Sequence, residues 1–180
     1  MRTFAASLAG LLFVLASPLH AVTVLPATLD ELVQESVTVV RGRVIAVDGR
    51  WTADRRTIES IVTLDVRDTL KGTATDTASF VVPGGEAGGR LLVMPGAPVF
   101  RQGDDVVVFL RGRAPALPHP VGLSLGVFRV AVDGRGVAQV VPSPVSTATA
   151  RGLVARGATA RTVRTFAAFA ADVRTAGARR

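Results

Sequence analysis

One stretch has the spacing of a catalytic serine. Gly122-Leu123-Ser124-Leu125-Gly126 is a G-x-S-x-G, the pattern of a nucleophile elbow, where a tight strand-to-helix turn lifts the serine oxygen above a sheet. The flanks do not suit that role. A proline-rich stretch precedes Ser124, and Val127-Phe128-Arg129-Val130 after it reads as strand. The general base would be a histidine, and beyond His20 the chain has only His119, shortly before the serine. The plainer expectation is that the two glycines shape the lead-in to a strand. A serine hydrolase of the cell envelope using Ser124 is the alternative.

Other candidates carry less chemistry. Asp104-Asp105 after Gly103 offers carboxylates to calcium, but that ion takes six or more oxygens and no D-x-D-x-D-G loop is present. The expectation there is a turn before a strand. With no cysteine and one histidine after the N-terminal segment, neither a thiolate zinc site nor a histidine cluster can form. No metal site, no cofactor and no catalytic residue is expected. Gly84-Gly85-Glu86-Ala87-Gly88-Gly89 lacks the GK[ST] ending of a phosphate loop, and Glu86 would repel phosphate. It reads as a connector or as a loop beside a binding face. Trp51, the single tryptophan, sits among Arg50, Asp54, Arg55 and Arg56, a composition found at interaction anchors; the plainer expectation is a tryptophan folded onto the barrel rim. Arg161 and Arg164, near the C-terminus, are the remaining candidates. The binding candidates are therefore Trp51, Arg55, Glu86, Arg161 and Arg164.

The elements around these residues follow from pattern. Thr28 and Glu31 have capping-box spacing at the start of a short helix running to Glu35, with Leu29, Leu32 and Val33 as its apolar side. Val37 to Val47 is β-branched and broken by Gly42, where a bend or bulge is expected; a polar loop, Asp48 to Arg56, follows. Ile58, Val62, Leu64 and Val66 alternate with Glu59, Thr63, Asp65 and Arg67, the mark of a half-buried antiparallel strand. Lys71-Gly72 ends that strand. Further strands are expected at Thr77 to Val82, Leu91 to Met94, Asp105 to Arg111, Leu125 to Val132 and Gly136 to Val141, the last two joined at Asp133-Gly134. Pro142 to residue 158 reads as a linker. A helix is expected over 159–176, with Val163, Phe166, Phe169, Ala170 and Val173 on one side and Arg161 and Arg164 off it.

Charge separates the chain into two parts. From Val22 to Ala150 there are 13 basic and 13 acidic residues, whereas from Arg151 to Arg180 seven arginines face Asp172 alone. The high pI thus belongs to a basic tail on a neutral domain and does not indicate a nucleic-acid-binding surface. The start of the chain has a positive residue, Arg2, an apolar run from Phe4 to Ala16, a Ser17-Pro18 break and Ala21, the parts of a removable signal peptide. The run is too short to span a bilayer. Cleavage is expected after Ala21, with Ala16 the alternative because Leu19 is a poor −3 residue. The expected product is periplasmic or secreted, with one β domain over 22–141.

A short helix followed by VTVVRGRVIAV, a polar loop and a strand ending TLDVRDTLKG resembles the opening of netrin-type modules, the OB-fold barrels that include the tissue inhibitors of metalloproteinases. The longer pattern is similar to exported bacterial proteins of unknown activity, in which a PGG loop, GAPVFRQGDDVVVFL and GVFRV follow. The resemblance implies a small OB-like antiparallel barrel with a short N-terminal helix and a C-terminal helix. It does not imply protease inhibition, because the inhibitors place an N-terminal cysteine on zinc and this chain has no cysteine. The expected function is a non-catalytic exported binding or accessory module, with another exported protein as partner, no nucleic acid and no membrane span. A structural envelope protein is a further alternative. The C-terminal helix is expected to pack on the barrel, with contact to an anionic surface as the other use of its arginines.

Overall fold

The chain is mainly β, built on one large antiparallel sheet with two helices. The computed structural model describes residues 28–143 and 162–179; the expected signal peptide, Arg161 and residues 144–158 of the expected linker lie outside them. In chain order the elements are α1 (Leu29–Glu35), β1 (Thr38–Trp51), β2 (Ile58–Lys71), β3 (Thr77–Pro83), β4 (Gly85–Ala87), β5 (Arg90–Leu92), β6 (Asp105–Arg111), β7 (His119–Pro120), a 3-10 turn (Leu123–Gly126), β8 (Val127–Val132), β9 (Ala138–Pro142), β10 (Arg164–Thr165) and α2 (Phe166–Ala178). The large sheet runs β10-β9-β8-β6-β1-β2-β3, with β7 on part of β6, and β4 and β5 form a separate hairpin.

The expected closed barrel is not formed. β3 pairs with β2 alone, and its far edge meets the chain before β7 through one backbone bond, Val81 N–H to the Pro118 carbonyl (2.9 Å). The proline-rich connector explains this gap. Prolines at 115, 118 and 120 lack the donors that a continuous ladder needs.

Strand β6 sets the architecture. Val106, Val108 and Leu110 enter one apolar cluster with Val40, Val44, Val62, Leu64, Phe80, Phe100 and Val127. Val107 and Phe109 enter another, with Val39, Phe128, Val140 and the helices. A strand covered on both faces needs no polar partner positions, which is why DVVVFLR reads as a continuous apolar run. On β2 the alternation holds, with Ile58, Val62 and Leu64 buried. The β1–β2 ladder carries register shifts at Val39/Val40, Arg41/Gly42 and Val44/Ala46. The second falls at the expected Gly42 bend. The third leaves Ile45 as an extra, exposed residue.

The helices close one face. Thr28 and Glu31 form the expected capping box. Lys71 Nζ donates to the Val33 and Ser36 carbonyls at the C-terminal end of α1, where a cation meets the helix dipole and its free carbonyls. α2 buries Phe169, Ala170, Val173 and Ala176 beside Leu32 and Val33 of α1. Phe169 lies 5.0 Å from the Phe128 ring and 6.1 Å from that of Phe109. The C-terminal helix therefore belongs to the core of the domain. Its start differs from the sequence expectation. Thr165 is the N-cap, residues 164 and 165 pair with Val140 and Gln139, and Val163, expected on the apolar side, is 59% exposed. The sheet claims this segment because its backbone can pair with β9, and a β-branched threonine with a free hydroxyl then caps the helix.

Candidate functional site

Many of the charged side chains of the sheet are paired within the chain. Arg41 makes a two-pronged bond to Asp105 (Nε–Oδ1 3.1 Å, Nη2–Oδ2 2.9 Å) and reaches Asp68 at 3.5 Å. Arg67 adds a second cation at Asp105, 3.5 Å away. The Arg41 guanidinium also stacks on Phe166 at 4.4 Å, beneath the start of α2. The Asp105 hydrogen bond holds the Arg41 proton more firmly than usual, against the opposing effect of burial. Asp104 accepts from Arg129 (2.7 Å) and from the Arg101 N–H (2.9 Å). Both carboxylates of the calcium candidate are thus engaged by arginines, in keeping with the expected turn before a strand. Among the described residues no group of three metal-ligating side chains occurs.

Ser124 is buried in the 3-10 turn, and its hydroxyl donates to the Gly96 carbonyl at 2.7 Å. Strand β8 follows it directly, where an elbow needs a helix. The glycines have a local cause. A Cβ at Gly126 would lie 2.4 Å from the Val121 carbonyl oxygen, and Gly122 takes φ 58°. His119 stands in β7, paired with Arg111 across the ladder.

Of the five binding candidates, the structure brings two together. Strand β1 runs on through Asp48–Trp51, so Trp51 ends a strand rather than sitting in the expected polar loop. Its indole lies against the tip of the β4–β5 hairpin. A Cβ on Gly88 would sit 3.4 Å from Trp51 Nε1, and Arg90 lies over the ring at 5.9 Å. Glu86 is on β4 of that hairpin and is exposed. Its carbonyl is pressed so close to Gly49 of β1 that any Cβ there would collide with it, at 1.9 Å. Arg55 occupies the tip of the Thr52–Thr57 turn at φ 55°, exposed. Arg164 is not a free cation. It pairs with Asp172 at 2.6 Å and stacks over Phe169 at 5.2 Å. Arg161 lies outside the described residues.

The glycine-rich loop, read as a connector or the side of a binding face, is a hairpin that begins a flap over residues 84–100. Beneath the flap is a cleft of about 350 Å³, walled by Val47, Val62 and Val82 of the sheet and by Leu92, Met94 and Phe100 of the flap. Large apolar side chains stand in water at its lip: Leu91 at 72% exposure, Val93 at 73% and Val99 at 70%, with Val47 and Met94 also exposed. Ser60 donates to the Gly84 carbonyl (2.8 Å) and ties the root of the flap to β2. Sequence reading missed this cleft. Its one signal was an apolar stretch, Leu91 to Phe100, interrupted by Pro95-Gly96-Ala97-Pro98, which cannot form a buried strand and so leaves apolar side chains unhoused.

No family model, no curated protein and no solved structure matches the chain.

Proposed function

We propose that the protein is an exported, non-catalytic binding module that takes an apolar small-molecule group in the cleft beneath the 84–100 flap. The observation that carries this reading is the clustering of exposed Val47, Leu91, Val93, Met94 and Val99 at the lip of one cleft. Apolar side chains scattered singly on a surface need no explanation, but a contiguous group around a concavity is characteristic of ligand sites. A volume of about 350 Å³ is at the small end of such sites, enough for a ring system or part of an acyl chain. The engagement of the Ser124 hydroxyl by Gly96 supports a non-catalytic reading, and the tripartite N-terminus supports export. An OB-like relationship draws support from the β6-β1-β2-β3 order, with β7 on β6 and the single Val81–Pro118 bond toward β3, since OB folds are partly open barrels.

Titration with N-phenyl-1-naphthylamine, an uncharged apolar fluorophore, tests the reading. Saturable one-to-one enhancement is expected, with loss of affinity of about tenfold or more in Val47→Arg, which places a charge at the lip. Val47 is exposed, so this variant is expected to keep its melting temperature. Non-saturable binding, or equal binding by the variant, would reject the cleft.

A further inference from the structure

We propose a second site, independent of the cleft: the free edge of β3 takes an extended peptide as an added strand, in the gap where the barrel fails to close. Val81 sends its N–H away from β2, to Pro118. In an antiparallel pair such outward groups recur at every second residue, so Thr77 and Ser79 present their N–H and C=O on the same side. Among the described residues neither group has a backbone partner there. These donors and acceptors open into a groove of about 720 Å³ whose opposite wall is Leu110, Gly112, Arg113 and Pro118.

The occupant is defined by that chemistry. Alternating backbone donors and acceptors are matched by another extended backbone, the basis of strand addition. The run Thr77 to Val82 carries no charge and no proline, Pro83 standing only at the end of the strand, so no side chain within the run blocks edge pairing. Charge selects further. Glu35 at the groove is already paired with Arg111 (3.3 Å), while exposed Arg113 has no ion-pair partner among the described residues. The fitting peptide therefore carries an acidic side chain or a terminal carboxylate. A second copy of the chain fits poorly, because its β3 lies behind its own 112–118 wall.

Selection of a phage-displayed random dodecapeptide library on the full chain tests the proposal, followed by hydrogen exchange and titration with the enriched peptides. Enriched sequences are expected to bear an acidic residue and to slow exchange at Thr77 and Ser79. Ser79→Pro removes an outward N–H and the hydroxyl bond to Thr63 (3.1 Å) while leaving the backbone ladder to β2 in place, and is expected to weaken binding by about tenfold or more. Arg113→Ala is expected to weaken it less. If Ser79→Pro does not fold, the same peptides N-methylated at alternate amides are expected to fail on the native chain. No enrichment, unchanged binding by these variants or methylated peptides, or protection mapping to the 84–100 flap would overturn the proposal. So would protection at Thr77 and Ser79 that rises with protein concentration alone, the sign of self-association.

Discussion

Arg41 shows how a charged residue in a strand becomes part of the fold. Its side chain is 16% exposed, forked onto Asp105 and covered by Phe166. Replacing it by alanine removes charge-assisted bonds worth about 1.5–3 kcal/mol and leaves Asp105 with the more distant Arg67. Denaturant unfolding of Arg41→Ala is expected to show a loss of that size. Arg41→Lys is expected to recover only part of it, because an ammonium cannot make the fork. The partner of Arg41 is not legible in the sequence, since Asp105 lies far along the chain and is brought near only by the β1–β6 register. Ser124 is the complementary case. Its G-x-S-x-G spacing was visible, and its use as a donor to Gly96 was not, because that contact spans 28 residues. Ser124→Ala is expected to cost about 1 kcal/mol, as the Ser124 N–H still reaches Gly96. Asp133 provides a pH signature. Bonds from Val137 N–H, Gln139 and Arg135 N–H hold its carboxyl below the ordinary aspartate range. A lowered folded-state pKa contributes stability above the unfolded-state value, and that stability is lost as pH falls through the folded value. Asp133→Asn is therefore expected to flatten this part of the acid-unfolding curve.

At the scale of elements, α2 decides whether the C-terminal region is a separate arm or part of the core. Phe169 touches Phe109 and Phe128 from β6 and β8, so helix and sheet share one apolar cluster. Phe169→Ala is expected to destabilise the protein by about 3–5 kcal/mol, read as a fall in the thermal midpoint in a single transition. An unchanged midpoint would mean that the helix does not hold the sheet. The apolar side of this helix was legible from its spacing at Phe169, Ala170 and Val173. Its start was not, because the helical pattern extends backward through Val163 while backbone pairing with β9 takes residues 164 and 165. The same competition explains Trp51. A polar, glycine-containing stretch reads as loop, but the long β1–β2 ladder carries Asp48–Trp51 as strand. The alternation of Ile58 to Val66 and the Asp133-Gly134 hairpin were legible because each is decided by local pattern.

The whole molecule is a sheet covered unequally. Helices α1 and α2 cover one side, whereas the other curls around its own cluster and is capped by the 84–100 flap. Closure of such a sheet depends on contacts between distant segments: the prolines at 115, 118 and 120 are visible locally, but that they fall opposite β3 is decided only by the assembled sheet. That is why the main strands were readable along the chain while their order in the sheet, the short strands β4, β7 and β10, and the missing closure were not. The exposed apolar lip has the same origin, since burial is a property of the assembled sheet. The central claim, that the flap covers a ligand cleft, is tested most directly by methyl NMR of the protein with N-phenyl-1-naphthylamine. The account predicts shifts confined to Val47, Val62, Val82, Leu92, Val93 and Met94. Shifts centred on Val33, Val39, Val140 and Val173 in the helix-covered cluster, or no shifts at saturating probe, would contradict it.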